Sequence, residues 1–397
     1  MKPHNTFLIF LLGCLAAITP LSIDIYLPGF VNIATDFATT LDKVSSSLSA
    51  FLIGVAVCQL FYGPLLDRFG RKPPLLTGLL VYCIASFACM LSQTLISFIF
   101  FRLLQAVGCC VAMVAATAII RDVFSQKDHA KVLSIMILIL GTSPKFAPSI
   151  GSLILAESSW RILFAVMGGF ALIILIGVMI IFKESKLIDK TVSLRAVKII
   201  RTYVGIFTNK RFYPFALATT FASAGFFAYL AGSPLVLLKF YGVTQHTFGI
   251  LFGAIALGLI LCSQVNNILL KKYSSKVILQ KALFVQSGLG IVSYLFLSIN
   301  YLNLIGFFIL AFLFVGCLGF IFSNATALSI LSFDKEAGSA SALLGSLQMG
   351  AGAVSSSILS IISNGSGKPM MLLMLIGACL ASLSMFFVQP GYDAESP

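Results

Sequence analysis

The stretch GPLLDRFGRKPP, residues 63–74, sets Asp67, Arg68, Arg71 and Lys72 close together in a 397-residue chain that is 59% hydrophobic and only 10% charged. Apolar runs of helix-spanning length lie on both sides of it and recur along the chain, which has 36 Phe, one Trp and a mean hydropathy of +1.04. No water-soluble core could hide that much apolar surface. The stretch is therefore read as a polar turn between two spans of a polytopic membrane protein.

Working outward, twelve spans are expected: Phe7–Phe30, Val44–Leu66, Pro74–Ser92, Leu95–Ile120, Val132–Ala156, Ile162–Phe182, Phe212–Leu238, Phe248–Leu270, Val277–Ile299, Leu304–Leu331, Gly338–Ile362 and Met370–Val388. Backbone hydrogen bonds must be satisfied inside lipid, so each run reads as a helix, and the alternating ten-residue strands of a barrel are missing. The first span is too long for a signal peptide and no small-residue cleavage site follows it, so it is expected to be retained.

Of the 26 Lys and Arg, twenty fall in alternate inter-span segments, four (Lys43, Arg161, Lys239, Lys368) in the opposite ones, and Arg102 and Lys145 within spans. By the positive-inside rule both termini are cytoplasmic. The net charge of +13 thus reports orientation, with no nucleic-acid partner implied.

The longest polar interruption, Lys183 to Arg211, divides six spans from six. The expected organisation is a six-helix bundle over 1–182, a basic cytoplasmic linker over 183–211 and a second bundle over 212–397. This is an architecture of secondary transporters, which bind substrate near the bilayer midplane between the halves. The linker's cations could also bind anionic headgroups.

The nine cysteines lie within apolar spans without CxxC spacing and read as small packing residues. His4, His129 and His246 sit at span ends or in loops and build no metal or hydrolase motif. Neither an enzyme nor a metal protein is expected.

The opening stretch resembles the signature loop of the major facilitator superfamily, GxxxDRxGRK. Gly63 permits close helix approach, Asp67 can face the positive end of a neighbouring helix, and Gly70 allows a tight reversal before Arg71. The resemblance implies a cytoplasmic latch of Asp67, Arg68 and Arg71, with Arg121, Asp122, Glu184 and the segment from Gly338 as partners. The plainer alternative is that these charges only fix topology.

In the fourth span, FIFFRLLQAVG resembles the superfamily's RxxQGxG pattern at Arg102, Gln105 and Gly108, with Ala106 in place of a Gly. An arginine at that depth costs about 2.5 to 3.5 kcal/mol unless it is partnered. Asp24, the one acid well inside any span, lies at matching depth and is its expected partner. Burial and a nearby cation pull a carboxylate's proton affinity in opposite directions, so a small conformational change could exchange a proton for substrate. A static ion pair setting helix register is the alternative.

GTSPKFAPSIGS in the fifth span partly fits the antiporter pattern GxxxGPxxGG. Gly141, Pro148 and Gly151 match, and Ala147 and Ser152 replace glycines. Pro144 and Pro148 should kink that helix. Lys145, near mid-bilayer, is expected to face the cavity, either balancing Asp24 or attracting an anionic substrate.

The carboxyl half carries no deep charge. Its candidate cavity groups are Phe226, Phe227, Tyr229, Asn266, Asn267, Asn324 and Gln348, a lining suited to an amphipathic ligand. Tyr26 and Gln105 join Asp24 and Arg102 on the amino side.

Together IDIYLPGF, the signature loop, the Arg102 segment and AYLAGSP with YGVTQHTFGILFG resemble the Bcr/CflA branch of the drug:proton antiporters. The resemblance implies a monomeric bacterial inner-membrane exporter of small amphipathic drugs or metabolites, driven by the proton gradient without a cofactor. A carrier for an anionic or zwitterionic, siderophore-like compound using Lys145 is the second expectation.

Overall fold

A backbone in hydrocarbon must close its own hydrogen bonds, and every regular element among the described residues is helical. The computed structural model describes residues 3–124, 132, 146–299, 301–333 and 336–388. The amino half holds α1 (Pro3–Asp24), α2 (Phe30–Asp36), α3 (Leu41–Phe69), α4 (Lys72–Leu91), α5 (Leu95–Val123), α6 (Phe146–Glu157) and α7 (Arg161–Ile181). After α8 (Ala196–Phe207) come α9 (Tyr213–Pro234), α10 (Gln245–Leu269), α11 (Ser275–Ser298), α12 (Leu304–Ile330), α13 (Ala337–Ile362) and α14 (Lys368–Leu383). Among the described residues eleven stretches are long and apolar enough to cross a bilayer, the first running through α1 and α2 as Phe7–Asp36. The shorter α6 is the described part of the fifth expected span. The all-α, twelve-span class holds.

Three elements depart from the expected outline. The first span is broken: α1 stops at Asp24, a 3₁₀ turn spans Leu27–Gly29, and α2 resumes at Phe30. Pro28 explains the stop, because its ring would collide with the carbonyl four residues earlier, that of Asp24, and it disfavours a helical Leu27. The linker contains a helix, α8, whose Ile199, Tyr203 and Ile206 are buried. Past Pro234, α9 widens into a π-helical turn over Leu235–Phe240.

Packing follows small residues, because lipid offers no hydrophobic drive between helices. In the amino half α4 packs on α5 and α7, and α5 packs on α1 and α3; in the carboxyl half α12 packs on α10 and α11, and α14 on α9 and α11. At the α4–α5 crossing, a Cβ on Gly108 would lie 2.5 Å from both the Gly78 carbonyl oxygen and the Tyr82 nitrogen.

Between the halves, α3 and α13 form the most extensive contact. Hydroxyls fasten it: Ser46 to Ser360 (3.1 Å), Ser49 to Ser356 (2.7 Å), and Ser346 donating to the Ala56 carbonyl (2.7 Å). Beside it Ser152 and Ser149 of α6 donate to the carbonyls of Gln245 (2.8 Å) and Gly249 (3.2 Å), and Gln245 bonds Asn32. Toward the basic end the halves part around a cleft of ≈ 690 Å³, lined among others by Asp67, Arg71, Arg121, Lys198, Glu336 and Gly338. The halves are thus fastened by hydroxyls toward one end, where a smaller space of ≈ 490 Å³ lies between Thr35, Thr40, Lys239 and Asn364, and part more widely at the other.

Gly108→Val should drive α4 from α5 and lower stability by about 1 to 3 kcal/mol or more. Gly169→Val, at a position with nothing within 4 Å of the new Cβ, should stay within about 0.5 kcal/mol. Thermal unfolding of the two purified variants in one detergent checks the difference.

Candidate functional site

The site begins at the break in α1. A helix end leaves its last carbonyls without intrahelical partners, and here one of them is claimed by a cation from another helix: the Arg102 Nη2 donates to the Ser22 carbonyl oxygen at 3.0 Å. A guanidinium at a helix C-terminus also meets the negative end of the helix dipole. Arg102 is 0% exposed. Its Nη1 donates to the Gln105 side-chain oxygen, and its Cζ lies 4.4 Å from the ring centroids of both Tyr26 and Phe51. Such cation–π contacts gain strength away from water.

These contacts belong to a closed circuit joining α1, α4 and α5. Gln105 Nε2 donates to the Ser86 hydroxyl (2.7 Å), Ser86 donates to the Tyr82 carbonyl (2.7 Å), and the Tyr82 and Ser22 hydroxyls meet at 2.6 Å. Ser22 spends its own proton on the Ile18 carbonyl (2.6 Å), so Tyr82 is the donor to Ser22. Sequence reasoning missed Ser22, Tyr82 and Ser86; the spacing of Tyr82 and Ser86, one turn apart in an apolar run, was the available signal.

The ion pair expected between Asp24 and Arg102 is not among the described ion pairs. The reason is azimuth, since residues two apart on a helix point to nearly opposite sides. Ser22 presents its hydroxyl to α4 and its carbonyl to α5, and the turn that follows Asp24 packs against α9 and α10 of the other half. Asp24 is 4% exposed, within electrostatic reach of the Tyr229 phenol on α9. That phenol stacks on Phe252 (centroids 5.8 Å, planes 17° apart) and its hydroxyl has no hydrogen-bond partner among the described residues. Asp24 is also the one buried acid among the described residues.

Gly151 brings the fifth span against the same break. A Cβ there would lie 2.0 Å from the Ile25 carbonyl oxygen, so only glycine lets α6 touch the turn beside Asp24. Pro148 lies next to Gly249 of α10. Gly141, Pro144 and Lys145 lie outside the described residues.

The other candidates scatter. The Tyr26 hydroxyl meets that of Ser47 (3.3 Å) beneath the guanidinium. Asn324 donates to the Asn266 side-chain oxygen (2.6 Å), which ties α12 to α10 and leaves both amides buried. Phe227 is buried while Phe226 and Gln348 are half-buried.

At the basic end, Arg71 is buried and bridges two acids: its Nε donates to Asp122 (2.7 Å) and its Nη1 to Asp67 (3.0 Å). Gly70, at φ +87, makes the reversal that lets Glu184 accept from the Arg71 and Lys72 backbone amides (2.8 and 2.9 Å). Asp67 also takes Lys186 Nζ (2.6 Å), a partner the sequence did not indicate. Arg68 donates to the Val192 carbonyl (3.0 Å) and so holds the linker. Arg121 reaches the start of α13, its Nη1 lying 3.7 Å from where a Cβ on Gly338 would sit, whereas Asp67 and Arg71 line the cleft and bond to their own half and the linker.

The sequence matches the Major Facilitator Superfamily over residues 12–356. The chain belongs to that family. Superfamily membership makes it a transporter and not an enzyme. It is 31% identical to an uncharacterized MFS-type transporter of Bacillus subtilis over 96% of this chain and 94% of that protein. It is 30% identical to a bicyclomycin resistance protein homolog of Haemophilus influenzae (98% and 97% covered) and to a multidrug resistance protein of Shewanella oneidensis (94% and 92%). These relatives agree with the Bcr/CflA resemblance read from the motifs. The fold is similar to that of the Escherichia coli xylose transporter in a partially occluded inward-open conformation (TM-score 0.75, 13% identity, 99% of each chain). It is equally similar to that of a bacterial homolog of the lysosomal transporter Spinster (TM-score 0.76, 13% identity, 98% and 97% covered).

Because Arg102 acts through a two-point bond and two ring faces, lysine should not replace it. Both Arg102→Leu and Arg102→Lys should lower stability by about 2 to 4 kcal/mol, and Tyr82→Phe by about 1 kcal/mol. Thermal unfolding in detergent reads all three.

Proposed function

We propose that this transporter exports small amphipathic drugs or metabolites in exchange for protons. It works as a monomer in the bacterial inner membrane with both termini cytoplasmic, drawing on the proton gradient with no bound cofactor. The observation that carries the reading is Asp24, buried at a helix break where the two halves meet, with the Tyr229 hydroxyl opposite it. A carboxyl there can bind a proton in one state of the seam and release it in another. The names of the relatives, resistance to bicyclomycin and to multiple drugs, support the substrate class.

In this cycle residues 1–182 and 212–397 rock as two bodies, joined by 183–211. The fastened end is the periplasmic one and the open cleft the cytoplasmic one. When the cleft shuts, the Asp67–Arg71 loop meets the start of α13 and latches it. When the fastened seam opens, water reaches Asp24 from the other side. Proton uptake there weakens the charged state and lets substrate leave. Arg102 is a positioning residue: it caps the break and fixes where Asp24 points.

The test is purified protein in vesicles with an imposed pH gradient, offered bicyclomycin, a cationic dye and an organic anion. The parent should accumulate the first two uphill. Asp24→Asn should fold as the parent does, bind them, and accumulate them no better than protein-free vesicles. Uphill accumulation by Asp24→Asn would overturn the coupling assignment, and accumulation of the organic anion alone would overturn the substrate class.

A further inference from the structure

The linker helix α8 has more apolar surface than the protein covers. Stepping round it at ~100° per residue, Ile199, Tyr203 and Ile206 share one face and are buried. The adjoining face carries Val197, Ile200 and Val204, which are 71%, 57% and 54% exposed. Lys198 and Arg201 lie on the remaining side and are exposed. This arc, about 180° at that step, is wider than the stripe of about 100° with which a surface helix faces its core.

The depth of α8 says what meets the uncovered half. The Tyr203 hydroxyl donates to the Leu60 carbonyl (2.9 Å), about 13 Å back along α3 from its end at Phe69. The buried face packs with Phe212, Ala216, Leu343 and Leu344, near the starts of α9 and α13. The helix therefore lies alongside the ends of the spans and not beneath them. A second observation agrees on charge: Arg195, Arg201, Lys210 and Arg211, at and around α8, are all exposed.

We propose that α8 is an interfacial helix whose Val197–Ile200–Val204 face sits in the leaflet at the basic end of the bundle and whose flanking arginines bind anionic phospholipid headgroups. Arg201 borders the apolar face, so its stem lies along the acyl region while its guanidinium reaches phosphate. Because Lys198 and Thr202 line the cleft, the lipid-seated helix forms one wall of its mouth. The inference rests on the membrane fold alone and not on the exporter reading.

The test places a tryptophan on each side of α8 in the full-length protein, in vesicles of phosphatidylcholine brominated high on the acyl chain. The signal of Trp160, the one native tryptophan, is subtracted using the parent. Val204→Trp should lose about half its emission or more, and Gly205→Trp, on the cytosolic side, little. With brominated phosphatidylglycerol the Val204→Trp quenching should show several-fold tighter lipid association than with phosphatidylcholine. That preference should drop about fivefold in Arg201→Gln and fade with added salt. Equal quenching at both positions, or no preference for the anionic lipid, would overturn the proposal. A shielded Val204→Trp with a doubled mass in light scattering would give the face to a second copy and also overturn it.

Discussion

The amino half depends on one contact: a buried guanidinium bonded to a carbonyl that a broken helix cannot satisfy by itself. Pro28 forbids α1 to continue past Asp24, and an unpaired carbonyl in hydrocarbon costs several kcal/mol. Arg102 removes that cost at Ser22 and offsets its own burial through Gln105 and two aromatic faces. Three helices are thereby fixed around a break that would otherwise be a defect. The acid at that break points away from the cation that holds it in place.

This separation matters for the chemistry. Had Asp24 paired directly with Arg102, its charge would have been locked in one bond, and changing its proton affinity would have meant breaking that bond. Instead the arginine sets geometry within one half, and in the proposed cycle the environment of the acid changes as the other half moves. Tyr229 and Phe252 supply that environment in the present arrangement. Gly151 presses α6 against the same turn, so three elements converge on it from two halves.

The spans were legible because lipid admits so few alternatives: hydrophobic length alone fixes a helix there. The break was also legible in principle, since Pro28 stands four residues after Asp24. Reckoning depth at a fixed rise per residue correctly matched Asp24 and Arg102 in height but carried no information on which way each faces, so the expected pair did not follow. The helix within the linker was written in the spacing of Ile199, Tyr203 and Ile206, which was hidden by reading the segment for its charge. Lys186 on Asp67 was out of reach, because no local pattern says where a long polar connection folds back. The missing glycine at Ala106 finds its counterpart across the interface, at Gly54, where a Cβ would lie 2.6 Å from that of Ala106.

The Ser49–Ser356 pair joining α3 to α13 has one further property. Ser356 also reaches the Ala353 carbonyl (3.1 Å) and Ser49 the Ser45 carbonyl (3.5 Å), each within its own helix. A hydroxyl with a spare acceptor one turn back is never stranded when its partner withdraws. Parting the helices at this pair thus exchanges one bond for another in place of exposing bare hydroxyls to a dry interior. Such a joint resembles a clasp that covers itself: closed, it holds the two helices together, and open, it leaves neither hydroxyl bare.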